Sequence, residues 1–217
     1  GKFNKPQIEA FQRLNSNTIF VDMKTSKIYC DTINLDFRQA VVEALDYLYD
    51  LGHRKIAYLG GKEVLADNSV YFEERKDTFI SYCKEHSIDY ESFIYEGDFS
   101  AESGYNMTKQ MIADGDLPTA IFSASDPLAI GAMRALYENG YKIPDDISII
   151  GFDDISVASF SNPPLTTIHT PAEFMGEYAA HYIMLRAKED TLDQQTPIRL
   201  TLPCNLIVRN SCAAPCK

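Results

Sequence analysis

Apolar residues along this chain recur in two alternating patterns, which are short continuous runs and longer stretches with helical spacing. The runs are rich in β-branched and aromatic residues, and we predict strands there, at 18–22, 55–59, near 93–95, 120–123 and 148–152. The stretches with helical spacing predict helices at 36–51, 73–86, 101–113, 126–139 and 172–188. A further helix precedes the first strand, and two short strands interrupted by Pro203 end the pattern.

Turn and cap residues agree with these boundaries. Gly52 and Gly140 follow predicted helices where a C′ glycine belongs. Asp126 is predicted to cap the helix that Pro127 opens. The regular alternation of strand and helix predicts an α/β fold with parallel sheets flanked by helices. The beginning of the chain offers too little sheet to bury a helix pair, so we expect the fold to be incomplete at its start.

Composition and charge narrow the possible partners. The formal net charge of −11 repels phosphate backbones, so this chain alone is a poor candidate for binding nucleic acid. The sequence lacks an apolar run long enough to span a membrane, and its first residues lack a secretory signal.

Five scattered cysteines favour reduced thiols and a cytoplasmic location. We expect no metal, because Cys204, Cys212 and Cys216 lack CxxC pairing and a nearby histidine, and we predict no cofactor.

Polar and aromatic residues gather just beyond the predicted strands. They are Asp22, Phe99, Ser125, Asp126, Asp153 and Asp154. In a doubly wound sheet the carboxyl ends of the strands face one ligand cleft, so these residues are predicted to converge. Carboxylates, a hydroxyl and a ring suit a sugar. Taken singly, each has a plainer interpretation: Asp126 and Asp154 as helix or turn caps, and Phe99 as core.

Catalysis has weaker support. The sequence contains no G-x-S-x-G elbow, P-loop or G-x-G-x-x-G motif. His53 follows the glycine at a helix end, where an imidazole suits exposed carbonyls. None of the four histidines is paired with an evident nucleophile. Asp153 and Asp154 are consecutive and point to opposite faces, so they need not share a proton. We therefore predict that the chain is not an enzyme.

Four segments together resemble the effector-binding core of LacI/GalR-family transcriptional repressors. They are LGHRKIAYLGG (51–61), ASDPLAIGAMRALYENGYKIPDDISIIGFDD (124–154), PPLTTIHTP (163–171) and LPCNLIVRNS (202–211). Three further segments resemble the galactose-operon repressors more closely, namely IFVD (19–22), INLDFRQAV (33–41) and GDFSAESGY (97–105). The resemblance implies a two-lobed, type I periplasmic-binding-protein-like core that closes on a sugar. It implies an N-terminal lobe of 1–52 plus 171–197, a C-terminal lobe of 53–170 plus 198–211, and a helix-turn-helix headpiece absent from this chain.

The resemblance also implies roles for individual residues in effector binding. Asp153 would accept hydrogen bonds from sugar hydroxyls, Arg75 would donate to the ligand, and Phe99 would stack on the ring. Asp22 would reach the ligand from the first lobe, and Ser125 and Asp126 occupy a position that is often Asn-Asp in the family. Thr78 and Ser125 depart from the family's usual glycine and asparagine, which leaves the identity of the sugar open.

The resulting hypothesis is a ligand-controlled repressor with a galactose-type effector. Homodimers would bind operator DNA through the headpiece, and Leu128, Met133 and Leu136 are candidates for the dimer interface, although most of them are expected to be core. Two rival interpretations remain. One is an exported type I sugar-binding protein of a transport system, and the other is an α/β enzyme that uses Asp153 and a histidine.

Overall fold

The chain folds into two compact units in a computed structural model that describes residues 3–14, 17–23, 29–65, 68, 70, 72–188 and 196–216. The first unit comprises Gly1–Asp36, Glu63–Tyr71 and Pro171–Pro203, and the second comprises Phe37–Lys62, Phe72–Thr170 and Cys204–Lys217. These units differ from the predicted lobe boundaries at three places. Residues 37–52 lie in the second unit, and residues 63–71 and 198–203 lie in the first.

Six helices and nine strands are formed by the described residues. The helices are α1 (Lys5–Leu14), α2 (Phe37–Asp50), α3 (Glu74–Glu85), α4 (Ala101–Asp114), α5 (Asp126–Glu138) and α6 (Ala172–Lys188). The strands are β1 (Ile19–Val21), β2 (Asp31–Leu35), β3 (Ile56–Gly61), β4 (Ile94–Gly97), β5 (Ala120–Ser123), β6 (Ser148–Asp153), β7 (Thr166–His169), β8 (Arg199–Leu202) and β9 (Asn205–Ile207). A short 3₁₀ helix covers Ser156–Phe160.

In the first unit, a parallel sheet with the order β1-β2-β8 is accompanied by α1 and α6. Ile8 of α1 packs with Phe20, Met23 and Cys30 in a small apolar cluster. Strand β2 was not predicted. Its sequence, DTINL, contains three polar residues, although four of the five side chains are buried. Asp31 can be buried because Arg186 and the Ile198 N–H donate to its Oδ1 atom.

In the second unit, six strands form a sheet with the order β4-β3-β5-β6-β7-β9, in which β9 alone among them is antiparallel. Strands β3 and β5 are buried along their whole length, which explains their continuous apolar sequence. Successive residues face opposite sides of the sheet. Ala57 and Leu59 belong to the cluster formed with α4 and α5, whereas the Tyr58 ring contacts Phe79 of α3. Helices therefore cover both faces, as predicted.

Helices α4 and α5 approach each other closely through two glycines. A Cβ atom on Gly131 would overlap the carbonyl oxygen of Ala101, and one on Gly104 would overlap that of Leu128. The three predicted interface residues Leu128, Met133 and Leu136 are buried in this cluster, so they serve as core.

Candidate functional site

The carboxyl ends of neighbouring strands in the second unit bring several of the predicted residues together. Phe99 follows β4, Ser125 and Asp126 follow β5, and Asp153 ends β6. These strands lie side by side with β3 in the parallel part of the sheet. The predicted placement of these residues at one sheet edge is therefore confirmed for the second unit.

Arg75 lies in the first turn of α3, and its guanidinium is held from several directions. Its Nε and one terminal nitrogen donate to the two carboxylate oxygens of Glu73, both at 2.7 Å. The other terminal nitrogen donates to the Ala124 carbonyl at 2.6 Å. Burial by itself would lower the pKa of Arg75, but the hydrogen bonds and charge of Glu73, with the charge of Asp153, hold that pKa above its ordinary value.

Three phenylalanine rings surround the same guanidinium. The Arg75 Cζ atom lies 5.0 Å from the ring centroid of Phe37, 5.1 Å from that of Phe99 and 5.3 Å from that of Phe152. These distances lie within the range of cation–π attraction. Phe99 fits beside β3 because residue 61 is glycine, where a Cβ atom would lie about 2.5 Å from the Phe99 ring. The sequence prediction missed Phe37, Phe152 and Glu73.

Two consecutive aspartates end β6 with left-handed backbone conformations. Asp153 has a φ of 106° and Asp154 a φ of 56°, which are unusual values for non-glycine residues. Asp154 is held by neighbouring side chains: Arg209 donates to its Oδ1 at 2.6 Å, and His169 Nδ1 lies 3.1 Å from its Oδ2. The charge of Asp153 also contributes to the raised pKa of Arg75.

Ser125 and Asp126 have internal roles in this structure. Ser125 is the N-cap of α5 and accepts from the Leu128 N–H, so the prediction that Asp126 is the cap was wrong. Asp126 has no solvent-exposed surface, and its carboxylate accepts from the Thr167 hydroxyl at 2.6 Å and the Ile155 N–H at 2.8 Å. Burial raises the pKa of Asp126 to about 6 against the opposing effect of these hydrogen bonds. Direct effector contact by Asp126 is therefore at odds with its geometry.

Asp22 lies in the first unit, directly after β1. Its φ is 51°, and its N–H donates to the Ile33 carbonyl at 2.8 Å. Strand β1 pairs with β2 in parallel, and this pairing determines where the chain turns at Asp22.

His53 differs from its predicted role at the end of α2. Gly52 has a φ of 104°, and the His53 N–H donates to the Leu48 carbonyl, so the backbone itself caps the helix. The buried imidazole contacts the Thr119 hydroxyl and the Ala213 carbonyl, each at 2.9 Å. Burial lowers the pKa of His53, which favours the neutral ring.

The described residues provide no group of three or more His, Cys, Asp or Glu side chains arranged to hold a metal ion. All five cysteines are free thiols, and Cys212 and Cys216 donate to backbone carbonyls. Within the described part of the chain, no helix is both long and apolar enough to cross a bilayer.

Comparison with known proteins identifies the class to which this fold belongs. The model of the periplasmic binding protein-like domain matches residues 45–212, and the chain belongs to that family. The chain is 38% identical over 213 residues to the HTH-type transcriptional regulator GalR of Streptococcus thermophilus, which covers 97% of this chain and 63% of that relative. The chain thus spans less than two thirds of the relative's length.

Two solved structures agree with this assignment. A Lac repressor dimer bound to operator and the anti-inducer ONPF has a TM-score of 0.82 and 29% identity, with 96% of this chain and 70% of that chain covered. A LacI-family regulator from Enterococcus faecium with bound ribose has a TM-score of 0.81 and 27% identity, with 97% of this chain and 76% of that chain covered. The predicted kinship with the LacI/GalR family and the predicted fold class are confirmed.

Proposed function

We propose that this chain is the effector-binding and dimerisation core of a sugar-responsive transcriptional regulator, with a galactose-type effector. The single observation that carries the proposal is the grouping of Arg75, Phe99 and Asp153 at one edge of the second unit's sheet. A sugar requires hydrogen-bond donors, hydrogen-bond acceptors and a flat apolar surface for its ring. Here the Arg75 guanidinium is the donor, the Asp153 carboxylate is the acceptor, and the Phe99 ring is the apolar surface. The ribose-bound relative and the GalR relative support the same chemistry.

The proposed site assigns different tasks to the predicted residues. Asp153 accepts hydrogen bonds from sugar hydroxyls, Arg75 donates to the ligand, and Phe99 stacks on the ring. Ser125 and Asp126 act indirectly, because the first caps α5 and the second holds the chain after β6 through the Ile155 N–H.

Regulation requires the effector to discriminate between two arrangements of the core. Only a difference in affinity for these arrangements can shift their equilibrium. Operator DNA would be bound by a helix-turn-helix headpiece outside this chain, because a net charge of −11 makes the core itself a poor partner for phosphate groups. Such a regulator works as a homodimer in the cytoplasm and interacts with no membrane.

Isothermal titration of the full-length protein with galactose, glucose, lactose and ribose tests the proposal. We expect selective galactose binding that Asp153→Ala weakens about 10- to 100-fold, because a hydrogen bond to a charged group contributes about 1.5–3 kcal/mol. Asp89→Ala, which removes an exposed carboxylate of the same unit, should leave the affinity unchanged. Equal affinities of the two variants would place the effector elsewhere, and a lack of binding to all four sugars would refute a simple sugar effector.

The rival interpretations give different outcomes. An enzyme would convert galactose, with turnover lost in Asp153→Asn, whereas a regulator core returns the sugar unchanged in an NMR time course. An exported binding protein would be preceded by a signal peptide in the gene, whereas a regulator requires a helix-turn-helix segment there. The named relatives are transcriptional regulators, which favours the proposal over both rivals.

A further inference from the structure

Glu73 occupies the proposed effector site as a built-in partner of Arg75. It is the N-cap of α3, where its Oε1 atom accepts both the Arg75 backbone N–H at 3.1 Å and the side-chain Nε–H at 2.7 Å. The second carboxylate oxygen accepts from the same guanidinium. The side chains of Arg75 and Glu73 are only 13% and 17% exposed, so this bidentate ion pair is largely shielded from solvent.

A bidentate Arg–carboxylate pair has no net charge, and it uses the parallel donors by which arginine would otherwise bind a phosphate. A third donor of Arg75 is used by the Ala124 carbonyl, and the rings of Phe37, Phe99 and Phe152 lie near the guanidinium. The guanidinium is therefore fixed in place and already neutralised.

The described charges beside this ion pair favour neutral ligands over anions. Asp153 acts on Arg75 as a further negative charge. Two lysines of the adjoining elements, Lys62 after β3 and Lys76 in α3, both reach Glu96, at 3.4 Å and 2.8 Å. An anionic ligand at Arg75 would thus meet the carboxylates of Glu73 and Asp153.

We propose that Glu73 determines the charge class of the effector, so that the site accepts neutral sugars and rejects phosphorylated or acidic ones. This inference rests on the proposed function and names the residue that discriminates within it. Glu73 acts by withholding Arg75 from anions and by adding a carboxylate beside Asp153. Hydroxyl groups tolerate that arrangement because they donate to carboxylate oxygens, which can each accept more than one hydrogen bond.

Titrations of the full-length protein with galactose, galacturonate and galactose 6-phosphate test the inference. Galacturonate carries a negative charge but is hardly larger than galactose, whereas galactose 6-phosphate is both charged and larger. Comparing the two anions therefore separates the effect of charge on affinity from the effect of size. In the unmodified protein we expect both anions to bind at least about 100-fold more weakly than galactose, since juxtaposed like charges cost several kcal/mol. Glu73→Gln keeps an acceptor oxygen for the helix cap and removes the charge. It should reduce the galactose-to-galacturonate affinity ratio about tenfold or more.

Glu85→Gln is the matched control, because it removes the same charge from an exposed position of the same helix. It should leave the affinity ratio unchanged. Anions that bind the unmodified protein as tightly as galactose would overturn the inference while leaving the sugar effector intact. An unchanged ratio in Glu73→Gln, or the same change in Glu85→Gln, would also overturn it. A protein that binds none of the three compounds would refute the galactose-type function itself, and this inference with it.

Discussion

At the scale of single residues, Asp126 shows that surroundings decide the role of a carboxylate. The sequence places it beside Ser125 and ahead of Pro127, which predicts a helix cap or a ligand contact. Its actual partners are the Thr167 hydroxyl, 41 residues further along the chain, and the Ile155 N–H. Space for its Oδ1 atom depends on Gly151, where a Cβ atom would overlap that oxygen. Local spacing cannot reveal partners that only the assembled sheet brings near.

The burial of Asp126 predicts a specific dependence of stability on pH. Its pKa rises from an ordinary 3.8 to about 6 on folding, so between these values the folded chain holds a proton that the unfolded chain has released. The stabilisation from protonated Asp126 is therefore fully present below about pH 4 and is lost as the pH rises through 6. From pH 4 to pH 7 this residue should lower the free energy of unfolding by about 2–3 kcal/mol.

Urea denaturation of the unmodified protein and of Asp126→Asn at several pH values measures this contribution. Because asparagine does not titrate, the variant should be most destabilised relative to the parent at pH 4 and least at pH 7. A stability difference that stays constant across this range would show that Asp126 does not titrate there.

At the scale of elements, the α4–α5 contact depends on its two glycines. Gly131→Ala should destabilise the protein by about 1–3 kcal/mol, because the new methyl group overlaps the Ala101 carbonyl and forces the helices apart. Gly176→Ala in α6 is the control, because a Cβ atom there meets nothing within 4 Å. That variant should gain up to about 1 kcal/mol from helix propensity alone. Chemical denaturation of both variants checks the contrast, and an equal response would contradict the close-packing argument.

The sequence predicted the elements with strong periodicity and missed those whose residues are buried through polar contacts. Strands β3, β5 and β6 are continuous apolar runs, and α5 has clear helical spacing, so each was recognised. Strand β7 has the sequence TTIH and was missed. Its threonines are buried with polar partners, because the Thr167 hydroxyl donates to Asp126 and the Thr166 hydroxyl accepts from the Arg209 N–H. Such partners lie far away in sequence, and residue type alone does not indicate them.

In the proposed effector site, too, the sequence indicated residues next to predicted elements and missed residues that only the folded chain brings together. Asp153 and Phe99 were found because each follows a strand that periodicity had already placed. Glu73 lies only two residues from Arg75, and an acidic residue before a helix is a recognisable capping signal. Phe37 and Phe152 come from separate elements, and their approach to Arg75 depends on how α2 and β6 pack in the second unit.

At the scale of the whole molecule, the proposed homodimer requires apolar surface that the core does not use. The residues first considered for that interface are buried, so other side chains must serve it. Tyr137 at the end of α5 and Phe160 at the end of the 3₁₀ helix are 80% and 85% exposed. Aromatic residues are enriched at protein–protein interfaces, so we propose that these two rings serve the homodimer. The similar Lac repressor structure is itself a dimer.

We therefore expect the charged substitution Phe160→Glu, alone or with Tyr137→Glu, to convert dimers of the full-length protein into monomers at micromolar concentration. Burying an unpaired carboxylate in an apolar interface costs several kcal/mol, which is enough to raise the dissociation constant at least about 100-fold. Val208→Glu alters another exposed apolar residue and should leave the dimer intact. Sedimentation velocity distinguishes the species. In the proposed regulator two headpieces read the operator half-sites, so the monomeric variant should also lose operator affinity while its galactose affinity stays unchanged. Dimers that persist in the double variant would move the interface away from these two rings.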